Sequence, residues 1–474
     1  VIPERFAPIL AELAPLSARF GDAGKRLYLV GGTVRDLLVG RLGTDDKDIV
    51  AMDFDATTDA RPEEIKKIIS GWADAVWTQG EKFGTIGAKK GDRVYEITTH
   101  RAEAYSPDSR KPEVQFSDAI EADLSRRDFT VNAMALELTT ENPTLVDPFN
   151  GAMDLITKVL RTPLSPEESF SDDPLRMLRA ARFIAGLNLV PDTALVDAVK
   201  SMAQRLEIVS RERIRHELDR LMTLDHPTAG LWFLVETGLA QQFFPELPAM
   251  SLEQDPIHRH KDVLTHTFAV VENVRPDAHD DFDFRITRLA ALFHDIGKPR
   301  TRSIRKGKGV TFHHHEVVGA RMTRERLKAL KYPSQDVEAI TELVELHLRF
   351  HTYSMGWTDS AVRRYVRDAG PLLNELNVLT RCDCTTRNEK KALMLSRRMD
   401  ELESRIAELA EQEQLAALRP ELDGVAVMTL LDVAPGPHVG KAMEFLMEIR
   451  LEEGLLGDEE ITRRLRQWWA SQQN

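Results

Sequence analysis

Two aspartates two residues apart, Asp53 and Asp55 in AMDFDATT, are the residues whose type and spacing most invite chemistry in this chain. Along a strand, alternate side chains share a face, so an extended backbone brings both carboxylates together. Adjacent acids stay ionised only with positive charge between them, and a divalent ion carrying a nucleoside triphosphate is the natural occupant. The flanking Met52, Phe54 and Ala56 are apolar or small, which favours a strand with one acidic face over an acidic loop. Upstream, the apolar run LYLV enters Gly31-Gly32 and then Thr33-Val34-Arg35-Asp36-Leu37-Leu38, which reads as strand, tight turn and helix start. Paired glycines in such a turn offer bare N–H groups to an anion. The spacing is not G-x-G-x-x-G, and no G-K-[ST] follows, so neither a dinucleotide fingerprint nor a P-loop is present.

The elements that must position these groups are strand-like segments at 27–30, 49–54, 83–88 and 93–98, alternating with helix-like ones at 61–70 and 129–135. That alternation describes an α/β head. Glu96, in the fourth strand, stands where a third carboxylate would join the pair, or where an edge-strand ion pair would use it. In DLSRRDFTVNAMAL, Asp123, Arg126, Arg127, Asp128 and Asn132 are too many polar groups ahead of an apolar helix to be caps alone. Asp128 and Asn132, one turn apart, face the same way; they read as phosphate or sugar contacts, with a salt-bridge cluster as the alternative. From about Leu155 helices take over. SDDPLRMLRAARFIAGL opens with Ser171 as N-cap and Pro174 in the first turn. Asp173 and Arg176 meet on one face of that helix, continued by Arg179, either as an intrahelical ion pair or as a functional pair. SRERIRHELDRLM carries its own cap at Ser210.

A second constellation follows in helices: His266, His294-Asp295 between Phe293 and Ile296, His315, His347 and Asp383. Polar ligands set in a buried helix face need a metal or a partner to offset their desolvation. The three histidines 313–315 need not all be ligands. Cys382 and Cys384 are expected to pack beside Asp383, and their closeness excludes an ordinary bridge, which fits a reducing cytoplasm.

At 474 residues the chain is too long for one core. No apolar run is long enough for a membrane, and VIPERFAPILAEL reads as an amphipathic helix start, not a signal peptide. A net charge of −13 excludes a uniformly basic nucleic-acid binder. Basic runs at 205–220, 300–308 and 321–331 still allow a local groove for a polyanion.

The motifs GGTVRD, MDFDATTDARPEE, EITTHR, LSRRDFTVNAMA, DPFNGAMDL, DDPLRMLRAARF and SRERI, in that order from about Leu27 to Val439, resemble the bacterial class II tRNA nucleotidyltransferases, or CCA-adding enzymes, of the polymerase β superfamily. The histidine set resembles the HD-type phosphohydrolase module that some members carry. The resemblance implies an α/β (α+β) polymerase-β-like head over 1–154. Behind it come an all-helical neck for base recognition and RNA binding over 155–248, an HD-type metal domain over 249–395 and a helical tail over 396–474. It implies a cytoplasmic enzyme that adds CCA to the tRNA 3′ end from CTP and ATP, with no membrane partner. Asp53 and Asp55 would hold two Mg²⁺ ions with Glu96 as third carboxylate. Gly31, Gly32 and Arg35 would sit at the triphosphate, and Asp128 and Asn132 at the ribose. Arg126, Arg127 and Arg179 would counter phosphate charge, with Arg182 in the same nucleotide-binding set, and Asp173 and Arg176 would read the base. The module would hold Mn²⁺, Ni²⁺, Fe²⁺ or Co²⁺ on His266, His294, Asp295, His315, His347 and Asp383. One departure is Asp172, where the family often has Glu. CC-only or A-only addition, poly(A) synthesis, a phosphohydrolase activity and an inactive RNA-binding protein are the competing readings.

Overall fold

The first halves of two strands decide the architecture of the head. In β2 (Phe54–Thr58) Phe54 and Ala56 enter the core while Asp55 stays exposed, and in β5 (Arg93–Thr99) Tyr95 and Ile97 are buried while Glu96 is exposed. One buried and one open face follow from this alternation. The computed structural model describes residues 3–40, 53–104, 113–252, 262–305, 309–352, 357–385, 389–413 and 419–472. They form two units, Val1–Phe243 and Phe244–Asn474. Of the strand expected at 49–54, residues 49–52 lie outside the described residues, and β2 runs on to Thr58.

The head sheet has seven strands in the order β3-β4-β5-β2-β1-β8-β9. Here β1 is Leu27–Val30, β3 Ala75–Trp77, β4 Thr85–Lys90, β8 Ala135–Glu137 and β9 Thr144–Val146. Only β2 and β5 pair in parallel; the remaining neighbours are antiparallel. Every residue of β1 is buried, as its uninterrupted apolar run requires of a central strand. Helix α1 (Ala7–Asp22) adds Ile9, Leu13, Leu16 and Phe20 to the core at helical spacing.

Three expectations fail locally. The helix at 129–135 is instead a 3₁₀ turn, Thr130–Asn132, followed by β8. The run Ala-Met-Ala-Leu is apolar throughout, and periodicity does not separate a buried strand from a buried helix. Ser171 caps nothing: α4 (Pro166–Asp172) is capped by Ser165, whose side chain accepts from Glu168 N–H, and α5 begins only at Arg176 and ends at Leu187. Asp173 between them is extended, φ −143°, because the ring of Pro174 excludes the helical region for the residue before it. The segments 155–248 and 249–395, expected to be all helical, are not purely so: Val159–Leu160 pairs with Val190–Pro191, and Ser303–Arg305 with Gly309–Thr311.

The helices behind the head are tied to it by a buried ion pair. Met177, Leu178, Ala181, Phe183 and Ile184 of α5 are buried, and Arg179 points back to Asp128, which is 8% exposed, with Nε 2.8 Å from Oδ2. Helix α6 (Arg211–Met222) starts at the Ser210 cap and brings the buried Glu217 to Arg182, Nε to Oε2 2.8 Å. In the second unit, α7 (Val263–Asn273), α8 (Phe284–Phe293), α9 (His315–Ala329), α10 (Ser334–Leu346) and α11 (Leu373–Asp383) build the module that carries the histidines. Helix α12 (Glu389–Glu413) follows. A last trio, α13 (Gly424–Leu431), α14 (Pro437–Glu453) and α15 (Asp458–Gln472), closes round Val427, Leu446, Ile461 and Leu465. Among the described residues no helix is long and apolar enough to cross a membrane.

Burial alone would raise the Asp128 carboxyl, but the charge of Arg179 and hydrogen bonds from Asn132 and Arg179 outweigh it and hold the group below its ordinary range. A carboxylate depressed on folding adds stability that is present above its unfolded pKa and lost as pH falls through the folded one. Asp128→Ala is therefore expected to cost about 3 kcal/mol at neutral pH, since it takes the hydrogen-bonded counter-charge from a partly buried guanidinium and leaves it Glu217 at 3.7 Å. The difference from the parent should shrink in acid below about pH 4. Urea melts across that range check this, and a difference independent of pH would refute it.

Candidate active site

The open face of the sheet gathers the acids. Register pairs Asp55 directly with Glu96, and Asp53 precedes β2 by one residue, so the three carboxylates share one side. Burial raises the Asp55 carboxyl, Arg127 lowers it and Asp53 raises it again. Glu96 is raised by burial, then by Asp55 and Asp53. Asp53 thus acts on both neighbours and Asp55 on Glu96, and the donor set, oxygen atoms of three clustered carboxylates, is one that a hard divalent cation satisfies.

Next to the acids, β1 ends in Gly31, whose φ of +74° suits glycine, and α2 (Gly32–Leu38) begins there. A Cβ on Gly31 would lie 3.2 Å from Arg127 Nη1, so this guanidinium covers the turn. Arg127 is oriented by the buried Asp123 (Nη2 to Oδ2 3.2 Å), which also faces Arg126 at 3.5 Å. Asp123 would be raised by burial, but Arg127 and Arg126 hold it low. Arg35 is clamped by both oxygens of Asp36 at 2.8 Å and donates to Asn132 Oδ1 at 2.6 Å. Asn132 Nδ2 donates to Asp128 Oδ1 at 2.9 Å, so those two side chains do meet, through the 3₁₀ turn. The guanidinium carbons of Arg35, Arg179 and Arg182 lie 5.4, 5.7 and 4.4 Å from the centre of the Phe183 ring.

Asp173 and Arg176 meet only through the backbone, Arg176 N–H donating to the Asp173 carbonyl at 3.0 Å, and their side chains go to other partners. Asp173 takes Arg213 Nη2 at 2.7 Å and the Leu175 N–H at 3.1 Å. Arg176 donates to Ser169 Oγ at 2.9 Å and to the Arg126 carbonyl. The break at Pro174 removes the common helical face. Asp123 with Arg126 and Arg127 forms the salt-bridge cluster that was the alternative for that segment. Sequence reasoning passed over Arg213, Glu217 and Asp36 as site members, and only Asp36, adjacent to Arg35, carried a local signal.

In the second unit all six expected ligands converge in two triads: His266, His294 and Asp383, and Asp295, His315 and His347. Asp295 joins them, with Oδ2 3.2 Å from His294 Nε2 and Oδ1 3.4 Å from His315 Nε2. His294, His315 and His347 each turn Nδ1 to the carbonyl three residues earlier, of Ala291, Phe312 and Val344, at 2.8, 2.8 and 2.6 Å. An Nδ1 bound to a carbonyl carries the proton, which leaves Nε2 as the lone pair. Yet Nε2 of His315 and His347 lie 3.3 Å apart, as do those of His294 and His266. The lone pairs of His315 and His347, facing at that distance in a buried site, fit a cation between them, whereas His266 turns Nδ1 to Thr385 Oγ1 at 2.8 Å and Nε2 to Asp383 Oδ1 at 2.9 Å. Burial pushes His347 down to about 3, keeping it a neutral ligand. His313 and His314 are exposed, Cys382 and Cys384 are free and belong to neither triad, and Lys298 Nζ reaches Asp295 at 2.6 Å. The spacing HDIGK held that last contact, which was not read from it.

Three family models match the chain in order: Poly A polymerase head domain over 27–161, Probable RNA and SrmB- binding site of polymerase A over 188–250, and HD domain over 263–412. The A-adding tRNA nucleotidyltransferase of Deinococcus radiodurans is 36% identical over 363 residues, 74% of this chain and 80% of that protein. The CCA-adding enzyme of Limosilactobacillus reuteri is 38% identical over 228 residues, 48% of this chain and 53% of that protein, so the match spans about half the relative's length. Among solved structures, the Bacillus stearothermophilus CCA-adding enzyme in complex with CTP superposes with a TM-score of 0.69 over 99% of both chains at 22% identity, a likeness of fold. Shared sequence across four fifths of a tRNA nucleotidyltransferase shows that this chain belongs to the tRNA nucleotidyltransferase family, with an HD domain behind its polymerase head.

Proposed function

We propose that the head adds CCA to the 3′ end of tRNA from CTP and ATP, releasing pyrophosphate. The observation that carries this reading is the Asp55–Glu96 register pair, with Asp53 beside it, lying next to the glycine turn covered by Arg127. Asp53, Asp55 and Glu96 would hold Mg²⁺, which when bound activates the terminal 3′-hydroxyl and offsets charge on the leaving pyrophosphate. Gly31 and Gly32 would offer backbone N–H groups to the triphosphate, with Arg35, Arg126, Arg127, Arg179 and Arg182 as its cationic wall. Asp128 and Asn132 would hold the ribose.

Cytosine and adenine both present an exocyclic amine beside a ring-nitrogen acceptor; uracil and guanine present the reverse order. A carboxylate acceptor fixed by Arg213 and a guanidinium donor fixed by Ser169 complement the first pattern and oppose the second. Asp173 and Arg176 would thus select CTP and ATP without having to bond each other. A-only addition is the second reading, favoured by the likeness to the Deinococcus radiodurans A-adding enzyme. Incorporation assays on tRNAs ending at the discriminator base, at C and at CC, with CTP and ATP singly and together, separate the two.

Asp55→Ala is expected to cut incorporation about a thousandfold or more while tRNA binding persists, the scale of one lost cation site. Undiminished incorporation defeats the assignment. Arg176→Ala should blur the choice against UTP and GTP by roughly 10- to 100-fold; intact selectivity in competition assays removes its base-reading role.

The HD module supports a second activity, metal-dependent hydrolysis of a phosphoester such as a 2′,3′-cyclic phosphate or a 2′-nucleotide. Nitrogen and carboxylate donors suit Mn²⁺, Fe²⁺, Co²⁺ or Ni²⁺, and Asp295 between the triads suits a pair of ions. His294→Ala should lower bound metal and abolish this hydrolysis; metal content and turnover equal to the parent's would refute it.

A further inference from the structure

The open face of the head carries a row of residues that the nucleotide-binding set leaves unused. Trp77 on β3 is the register partner of Gly87 on β4, Gly87 of Glu96 on β5, and Glu96 of Asp55 on β2. Directly opposed residues of paired strands point to one side, so an indole shares the face of the two carboxylates. It does not stand upright. A Cβ built on Gly87 would fall 1.9 Å from Trp77 Nε1 and 2.1 Å from Cε2, so the ring lies across β4, over the one position in the row that has no side chain. Gly87 is buried under it, and Trp77 itself stays half-buried.

The row has a direction. On the β1 side the acids adjoin the Gly31 turn and Arg127, which suit a triphosphate. On the β4 side they adjoin Gly87 and the indole. Two residues along this face Thr85 pairs with Thr98, their hydroxyls 2.9 Å apart, and Arg101 Nη2 donates to Thr85 at 2.9 Å, a cation fit for an RNA backbone. In-line displacement places attacking and leaving oxygens on opposite sides of the phosphorus. With the triphosphate toward β1, the attacking hydroxyl arrives from β4. Strands lie about 4.8 Å apart, so the Trp77 backbone is about 10 Å from Glu96 and its reclining ring closer, within a nucleoside's reach. The end of a growing RNA changes base after every addition. Stacking on an aromatic ring tolerates that change, because every base has a flat face.

We infer that Trp77 is the platform on which the 3′-terminal base of the acceptor RNA stacks, directing its 3′-hydroxyl toward Asp55 and Glu96. The inference rests on the nucleotidyl-transfer reading of the same face. It is tested by AMP addition to a tRNA ending in CC and to the same RNA with an abasic 3′ nucleotide, using the full chain. For the parent, the abasic end should raise KM for RNA about tenfold, the scale of one lost stack. Trp77→Leu, which still covers Gly87, should raise it about as much on the normal RNA while KM for ATP moves less than about twofold, and Trp77→Phe should recover most of the loss. On the abasic RNA, Trp77→Leu should add nothing further. Penalties that multiply in combination, equal behaviour of the Leu and Phe variants, or a shift in KM for ATP instead would overturn the platform while leaving nucleotidyl transfer standing. A parent protein that extends no tRNA with either nucleotide would remove both.

Discussion

Three carboxylates kept on one side of a sheet repel one another, and the register of β2 against β5 gives two of them no room to separate. Asp55 and Glu96 are both raised toward their neutral forms by burial, and further by Asp53 and, for Glu96, by Asp55, so the folded head carries an electrostatic strain that positive charge relieves. The rest of the head is arranged around that constraint. The single parallel pairing of the sheet, β2 with β5, is what sets the acids side by side, while β1 on one flank and β4 on the other present quite different chemistry to them.

The same logic recurs in the second unit with other donors. There the repulsion is between lone pairs, fixed for His294, His315 and His347 by the carbonyl group three residues before each ring. Because that anchor is local, these three rings are aimed by their own helix ends, and tertiary packing has only to bring the ends together with His266. Asp295 then divides its two oxygens between the triads. A ligand on one triad must therefore alter the affinity of the other, and by linkage the effect is reciprocal.

Much of this was legible from residue order, for reasons that are local. LYLV followed by two glycines can hardly be anything but strand and turn, and Ser210 caps its helix as its side chain dictates. The clustering of the histidines was legible by type and by burial. What was not legible depends on distant partners or on backbone breaks. The apolar run after Asn132 fits helix and buried strand alike, and β1 decides for the strand by pairing Leu29 with Leu136. Spacing of three joined Asp173 to Arg176, but the ring of Pro174 turns the chain between them and hands Asp173 to Arg213, forty residues on. The division of six ligands into two groups has no trace in the sequence, since it is made by packing α7, α8, α9, α10 and α11 together.

Arg35 held by Asp36, Arg127 by Asp123, Arg176 by Ser169, Arg179 by Asp128 and Arg182 by Glu217 have already lost their rotamer freedom before any substrate arrives. Immobilising a long side chain at the moment of binding costs about 0.5–1.5 kcal/mol. In this head that ordering cost is met when the chain folds. Nucleotides bound as proposed would then meet a stiff cationic mould that need not be re-formed between turnovers, and what distinguishes one addition from the next would have to come from the substrates that enter it.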